Sequence, residues 1–166
     1  MRHRQKNIAV GQLTTYGTPR AVRLPDSDYA DNADIHVTIC AAAGAPFAED
    51  AVAAMVCHNV EFYCEKLGFL LHGYCLMPDH LHVLLSPADS EIKLDKWLDV
   101  FKSYTTHEFM KQGRHAPLWQ RSAHDHVCRK GETAETVLAY IVDNPVRAGL
   151  VKEWVDWPWT KAFTAM

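Results

Sequence analysis

Tyr74-Cys75-Leu76-Met77-Pro78-Asp79-His80-Leu81-His82-Val83-Leu84-Leu85 joins two apolar runs across a Met-Pro-Asp step. Proline removes a backbone donor and aspartate favours turns, so the step reads as a tight connection between two strands. Side chains two residues apart leave the same face of a strand, so His80 and His82 project together while Leu81 and Val83 turn to the other side. Imidazole is available unprotonated near neutral pH and suits several divalent ions. The pair is therefore half of a metal site and ranks no metal above another. On spacing alone, a strand with two surface histidines is the plainer reading, and context has to raise it.

That context is Ala139-Tyr140-Ile141-Val142-Asp143-Asn144-Pro145-Val146-Arg147-Ala148-Gly149-Leu150, where a helical pattern carrying Tyr140 is stopped by Asn144-Pro145 and later Gly149. Tyr140 and Asn144 are one turn apart, and residues at i and i+4 share a helix face. If that face meets His80 and His82, a nucleophile and three ligands come together. Asn144 fits two roles, ligand or cap of the helix end before Pro145. Tyr104 is a rival nucleophile, but Leu94, Trp97, Leu98, Phe101 and Tyr104 recur at three- and four-residue steps, which assigns it to the core face of a helix. Val137, Leu138 and Ile141 give Tyr140 a similar apolar setting.

Read coarsely, the chain runs strand 35–41, helix 49–66, strand 68–77, strand 80–86, helix 92–112, strand 119–129 and helix 132–143. The order β-α-β-β-α-β plus a helix suggests an α+β fold of the ferredoxin-like split β-α-β type. It is an antiparallel sheet with helices on one face, plus a C-terminal helix that carries the candidate catalytic tyrosine. The fold places the His pair on a central strand opposite that helix. Residues 1–33 read as a basic arm and lead-in, and 34–166 as one domain. The aromatic tail Trp154-Val155-Asp156-Trp157-Pro158-Trp159 suits either base stacking or core closure; we read it as core closure.

With 166 residues, 48% of them hydrophobic, the chain suits one domain with a true core, and no apolar run is long enough to cross a membrane. No apolar signal segment opens the sequence. The five cysteines (Cys40, Cys57, Cys64, Cys75, Cys128) are odd in number and form no Cys-x-x-Cys pair, which suggests reduced thiols in a cytoplasm. Cys57 and Cys64, two helical turns apart, read as small core residues. A net charge of −3 argues against a general nucleic-acid coat. Its distribution softens that objection: residues 1–24 hold Arg2, Arg4, Lys6, Arg20 and Arg23 and no acid, whereas 25–100 hold three bases against thirteen acids, and the remainder nine against seven. Any polyanion is thus expected at the amino-terminal arm and the carboxy-terminal half.

Taken together, Met77-Pro78 before His80-Leu81-His82 and Tyr140 before Asn144-Pro145-Val146-Arg147 resemble the single-tyrosine HUH transposases, in particular the REP-associated tyrosine transposases. The resemblance spans most of the chain. Arg23-Leu24-Pro25, Asp28-Tyr29 and Val37-Thr38-Ile39-Cys40 look like that family's lead-in and first strand. Phe101-Lys102-Ser103 looks like its central helix, and Pro117-Leu118-Trp119-Gln120-Arg121 with Asp125-His126 like its fourth strand. The pattern departs at Ala123-His124, where a pair of aromatics is usual, and at Asp125, where some relatives carry Glu. His124-Asp125-His126 is a second His-x-His; the Met77-Pro78 lead-in and the family order are what single out His80 and His82.

The resemblance implies a DNA transposase that cuts and rejoins single-stranded DNA near a hairpin. Tyr140 would form a 5′-phosphotyrosine link, and Mg²⁺ or Mn²⁺ would be held by His80, His82 and Asn144. Arg121, Arg129, Lys130 and Arg147 are then candidate DNA contacts, and Asp125 and His126 candidates to support the site from behind. The family includes monomers and homodimers, and the resemblance does not choose. Two other readings keep the same surface: a domesticated, non-cleaving hairpin-binding module, and a metal-dependent hydrolase using water with Tyr140 as packing only.

Overall fold

The computed structural model describes residues 33–88, 93–127 and 133–163. Four strands, β1 (Ile35–Cys40), β2 (Phe69–Leu76), β3 (His80–Pro87) and β4 (His124–Val127), alternate with α1 (Asp50–Lys66) and α2 (Leu94–Lys111) in the expected β-α-β-β-α-β order. They are followed by α3 (Ala134–Val142), the short α4 (Asn144–Arg147) and an unanticipated edge strand, β5 (Thr160–Ala162). The sheet is antiparallel with order β4-β1-β3-β2-β5, so β3 is its centre. This is the ferredoxin-like arrangement, with β5 added beside β2.

Alternation along the strands sorts the side chains into two layers. Ile35, Val37 and Ile39 of β1 and Leu81, Val83 and Leu85 of β3 enter the main core beneath α1 and α2, which supply Val52, Val56, Val60, Trp97 and Phe101. The opposite face carries Cys75, Met77 and Leu84, covered by Leu138, Ile141 and Val142 of α3. Two helices therefore lie on one face, and α3 covers the other together with Trp154 and Trp157 of the tail. α1 ends where Gly68 takes φ 71°, a left-handed conformation that costs glycine no Cβ clash. Thr133 caps α3, its hydroxyl accepting from the Thr136 amide.

Two expectations are corrected. The strand expected over 119–129 is shorter, with β4 beginning at His124 and only an isolated bridge between Trp119 and Ala41 before it. Lys102 Nζ donates to the carbonyls of Gln120 and Arg121, and Trp119 Nε1 to Thr105 Oγ1, so that stretch is pinned to α2 instead of extending the ladder. Tyr104 is not a core residue. It is 44% exposed, because the buried stripe of α2 continues through Thr105 and Phe109. The helix bearing Tyr140 stops before Asn144-Pro145 as expected: α3 ends at Val142, and the chain turns at Asp143 into the separate α4 with Pro145 in its first turn, where proline lacks no needed donor.

The tail closes the core as expected: Trp157 Nε1 donates to the Leu76 carbonyl, and Trp154 and Trp157 pack against the α3 layer. Cys57 and Cys64 are buried in the main core. No helix among the described residues is long and apolar enough to cross a membrane.

Candidate active site

The connection Met77-Pro78-Asp79 is clamped on both sides. The Met77 amide donates to the His80 carbonyl, the Pro78 carbonyl accepts from the Phe47 amide, and the Asp79 carbonyl accepts from the Ala41 amide. This fixes the start of β3, where His80 is partly exposed and His82, 8% exposed, is buried. The two rings stand at 89° with centroids 4.8 Å apart.

Each imidazole is held from behind through Nδ1. His80 Nδ1 meets Asp79 Oδ1 at 2.6 Å. His82 Nδ1 lies 3.0 Å from His36 Nε2 and 3.0 Å from Thr38 Oγ1. Among the described residues these bonds leave Nε2 of each ring without a hydrogen-bond partner. Ligating histidines in proteins carry this kind of support, which fixes ring orientation and tautomer. Burial, followed by the neighbouring His80, His36 and Arg147, holds the His82 pKa well below its ordinary value, so it is neutral and able to coordinate. The bond to His80 holds the Asp79 carboxyl below the usual range although burial opposes it. The donor set therefore fits a divalent ion at the two Nε2 atoms. Among the described residues no group of three or more His, Cys, Asp or Glu is placed to hold a metal.

α3 brings Tyr140 to the same side of the sheet. Its inner face seats Leu138, Ile141 and Val142 on Leu84 and Cys75, and Tyr140 lies on its outer part, 52% exposed. Asn144 begins α4. Its Nδ2 donates to the carbonyls of Ile141 at 2.9 Å and Tyr140 at 3.3 Å, the capping role, while its Oδ1 accepts from Arg147 at 2.9 Å. Arg147 is near enough for its charge to act on both His82 and Cys75.

His80, His82, Tyr140, Asn144 and Arg147 are thus gathered on one face. Arg121 is exposed, next to Gln120 whose amide donates to the Cys40 carbonyl; Cys40 pairs with His80, so Arg121 lies at the same end of the sheet. The backbone of β4 sets His126 opposite His36 and Asp125 opposite Val37. Arg129 and Lys130 lie outside the described residues. Sequence reasoning missed His36, Thr38 and Asp79 as supports. Asp79 is adjacent to His80 in the chain and was legible; His36 and Thr38 come close only through the β1–β3 register.

A profile of the IS200-like transposases matches residues 29–144. The chain belongs to that family. It is 27% identical over 107 residues to a protein of Haemophilus influenzae named as a REP-associated tyrosine transposase, covering 58% of this chain and 61% of that one. It is 26% identical over 93 residues to the REP-associated tyrosine transposase of Escherichia coli K12, covering 55% and 53%. The matched region thus spans little more than half the length of either relative. Among solved structures, that of a REP-associated tyrosine transposase bound to a REP hairpin superposes with TM-score 0.69 at 20% identity, covering 80% of this chain and 78% of that one. A transposase-like protein of Deinococcus radiodurans gives TM-score 0.52 at 18% identity, covering 68% and 91%. At these identities the structural likeness speaks for the fold.

Proposed function

We propose that this IS200-like transposase cleaves single-stranded DNA beside a hairpin of the REP type and transfers the strand through a covalent link to Tyr140. The observation that carries the reading is the doubly supported pair of Nε2 atoms of His80 and His82 on the central strand, on the face covered by the helix that bears Tyr140. Relatives named as REP-associated tyrosine transposases, and a like-folded one bound to a REP hairpin, support the substrate.

In this reaction the Tyr140 oxygen attacks the scissile phosphorus, the phenolic proton passes to solvent, the new P–O bond forms, and the 3′-oxygen of the departing strand leaves. A phenol with an ordinary pKa of about 10 is a weak nucleophile at neutral pH and needs assistance. His80 and His82, with Asn144 as the candidate third ligand, would hold Mg²⁺ or Mn²⁺, which supplies polarisation of the scissile phosphate and stabilises charge on its oxygens. Asp79, His36 and Thr38 keep the imidazoles aimed. Arg121, Arg129 and Lys130 are the proposed phosphate contacts, and Asp125 and His126 the proposed supports from β4.

The test is cleavage of a labelled hairpin by His80→Ala and His82→Ala proteins in Mn²⁺. Cleavage is expected to vanish while hairpin binding persists. Cutting as fast as the natural sequence removes the metal site from the reading, and binding without cutting by the natural protein marks a non-cleaving module.

A further inference from the structure

The guanidinium of Arg147 is engaged on three sides within its own corner. Nη1 donates to the Tyr140 carbonyl at 3.1 Å and to Asp143 Oδ2 at 3.3 Å, and Nη2 donates to Asn144 Oδ1 at 2.9 Å. The same group lies over the Tyr140 ring, its central carbon 4.1 Å from the ring centroid. A planar fork that stacks on an aromatic and bonds along its edge is something arginine does and lysine does not. Tyr140 is half exposed, and exposed side chains change rotamer within nanoseconds unless held.

We propose that Arg147 is a positioning residue that holds Tyr140 and Asn144 as one unit, in place of the DNA contact that its sequence setting suggests. The proposal rests on Tyr140 being the nucleophile. One guanidinium then orients the attacking ring and occupies the oxygen Asn144 would offer as a ligand, so the nucleophile and the third ligand position are coupled. Three of its five N–H donors are already committed within this corner, so orienting its neighbours is the role the geometry gives it.

The experiment compares Arg147→Ala and Arg147→Lys in the full chain, measuring hairpin affinity against salt, the rate of covalent adduct formation at saturating hairpin DNA in Mn²⁺, and the ring resonances of Tyr140 in ¹³C-tyrosine protein, assigned with Tyr140→Phe. Hairpin affinity and its salt slope are expected to stay near those of the natural sequence. The saturated rate is expected to fall by about 10- to 100-fold in both variants, as misplacement of a reacting group does, with the Tyr140 ring signal shifted in both. If the alanine variant does not fold, the lysine variant carries the test alone. Rescue by lysine, together with a salt slope lowered by about one in the alanine variant, is the signature of a phosphate contact and overturns the proposal. An unmoved ring signal also overturns it. Absence of any adduct with the natural sequence instead overturns the nucleophile reading, a failure distinct from an intact ring stack.

Discussion

A Cβ built on Gly73 would come within 2.5 Å of Leu138 Cδ1 and 2.6 Å of the Lys161 carbonyl oxygen. Gly73 sits beside the irregularity in β2 between Leu71 and Gly73, directly under α3 and next to β5. The absence of a side chain there is what lets the Tyr140-bearing helix approach the sheet. Gly73→Ala is expected to destabilise the protein by about 1–3 kcal/mol, the usual cost of overpacking, and to slow adduct formation by lifting α3. Urea unfolding checks the first and a gel assay the second. Unchanged stability would mean that α3 is not seated as described.

The supports behind the histidines give a second prediction. His36→Ala and Thr38→Val remove partners of His82 Nδ1, and Asp79→Asn weakens the hold on His80. Each is expected to weaken Mn²⁺ binding by about 10- to 100-fold, the usual effect of losing a group behind a ligand, with the fold retained. Calorimetric titration of the metal alone measures this without DNA. Affinities equal to that of the natural sequence would show that metal, if bound, is held elsewhere.

Acid should loosen the β5 edge. Burial pushes the Glu61 carboxyl up, but Lys161 Nζ at 2.7 Å and the Tyr74 hydroxyl at 2.8 Å outweigh it, so its pKa lies below the ordinary value. A depressed carboxylate contributes stability that is fully present above its unfolded pKa, about 4.3, and is lost as pH falls through the lower folded value. Glu61→Gln is therefore expected to flatten the loss of stability below about pH 4.3, read from thermal melts between neutral pH and pH 3. An acid limb as steep as that of the natural sequence would remove Glu61 from this role.

The frame of the molecule was legible because hydrophobic alternation is a local signal. Leu81 and Val83 turning into the main core force His80 and His82 onto the opposite face of β3, and the order of elements then puts them on a central strand. That Tyr140 and Asn144 share one corner was legible from their helical spacing. The supporting roles of His36 and Thr38 were not, since they are more than forty residues from His82 and depend on the antiparallel register of β1 with β3. Nor was β5, a three-residue edge strand whose pairing with Gly73, Tyr74 and Cys75 no local pattern announces. Tyr104 misled because its three-residue step from Phe101 continues an apolar series, whereas the buried stripe of α2 takes the four-residue step to Thr105 and runs on to Phe109.

Thiol reactivity offers an independent check of the layers. Burial pushes the thiols of Cys57 and Cys64 up to about 12 and that of Cys75 to about 11. The thiolate is the reactive form, so iodoacetamide at pH 8 is expected to leave these three unmodified in the folded protein. Cys40, only half-buried, should react before them although burial and Asp79 raise its pKa as well. Peptide mass mapping reads the order, and early modification of Cys75 would place α3 away from the sheet.

The most direct test of the central claim is a denaturing gel of the protein incubated with labelled single-stranded hairpin DNA in Mn²⁺, with mass spectrometry of any slow-migrating band. A metal-dependent adduct is expected whose DNA-bearing peptide contains Tyr140, absent in Tyr140→Phe, which still binds the hairpin. An adduct that survives Tyr140→Phe, or cleavage with no adduct at all, would contradict it.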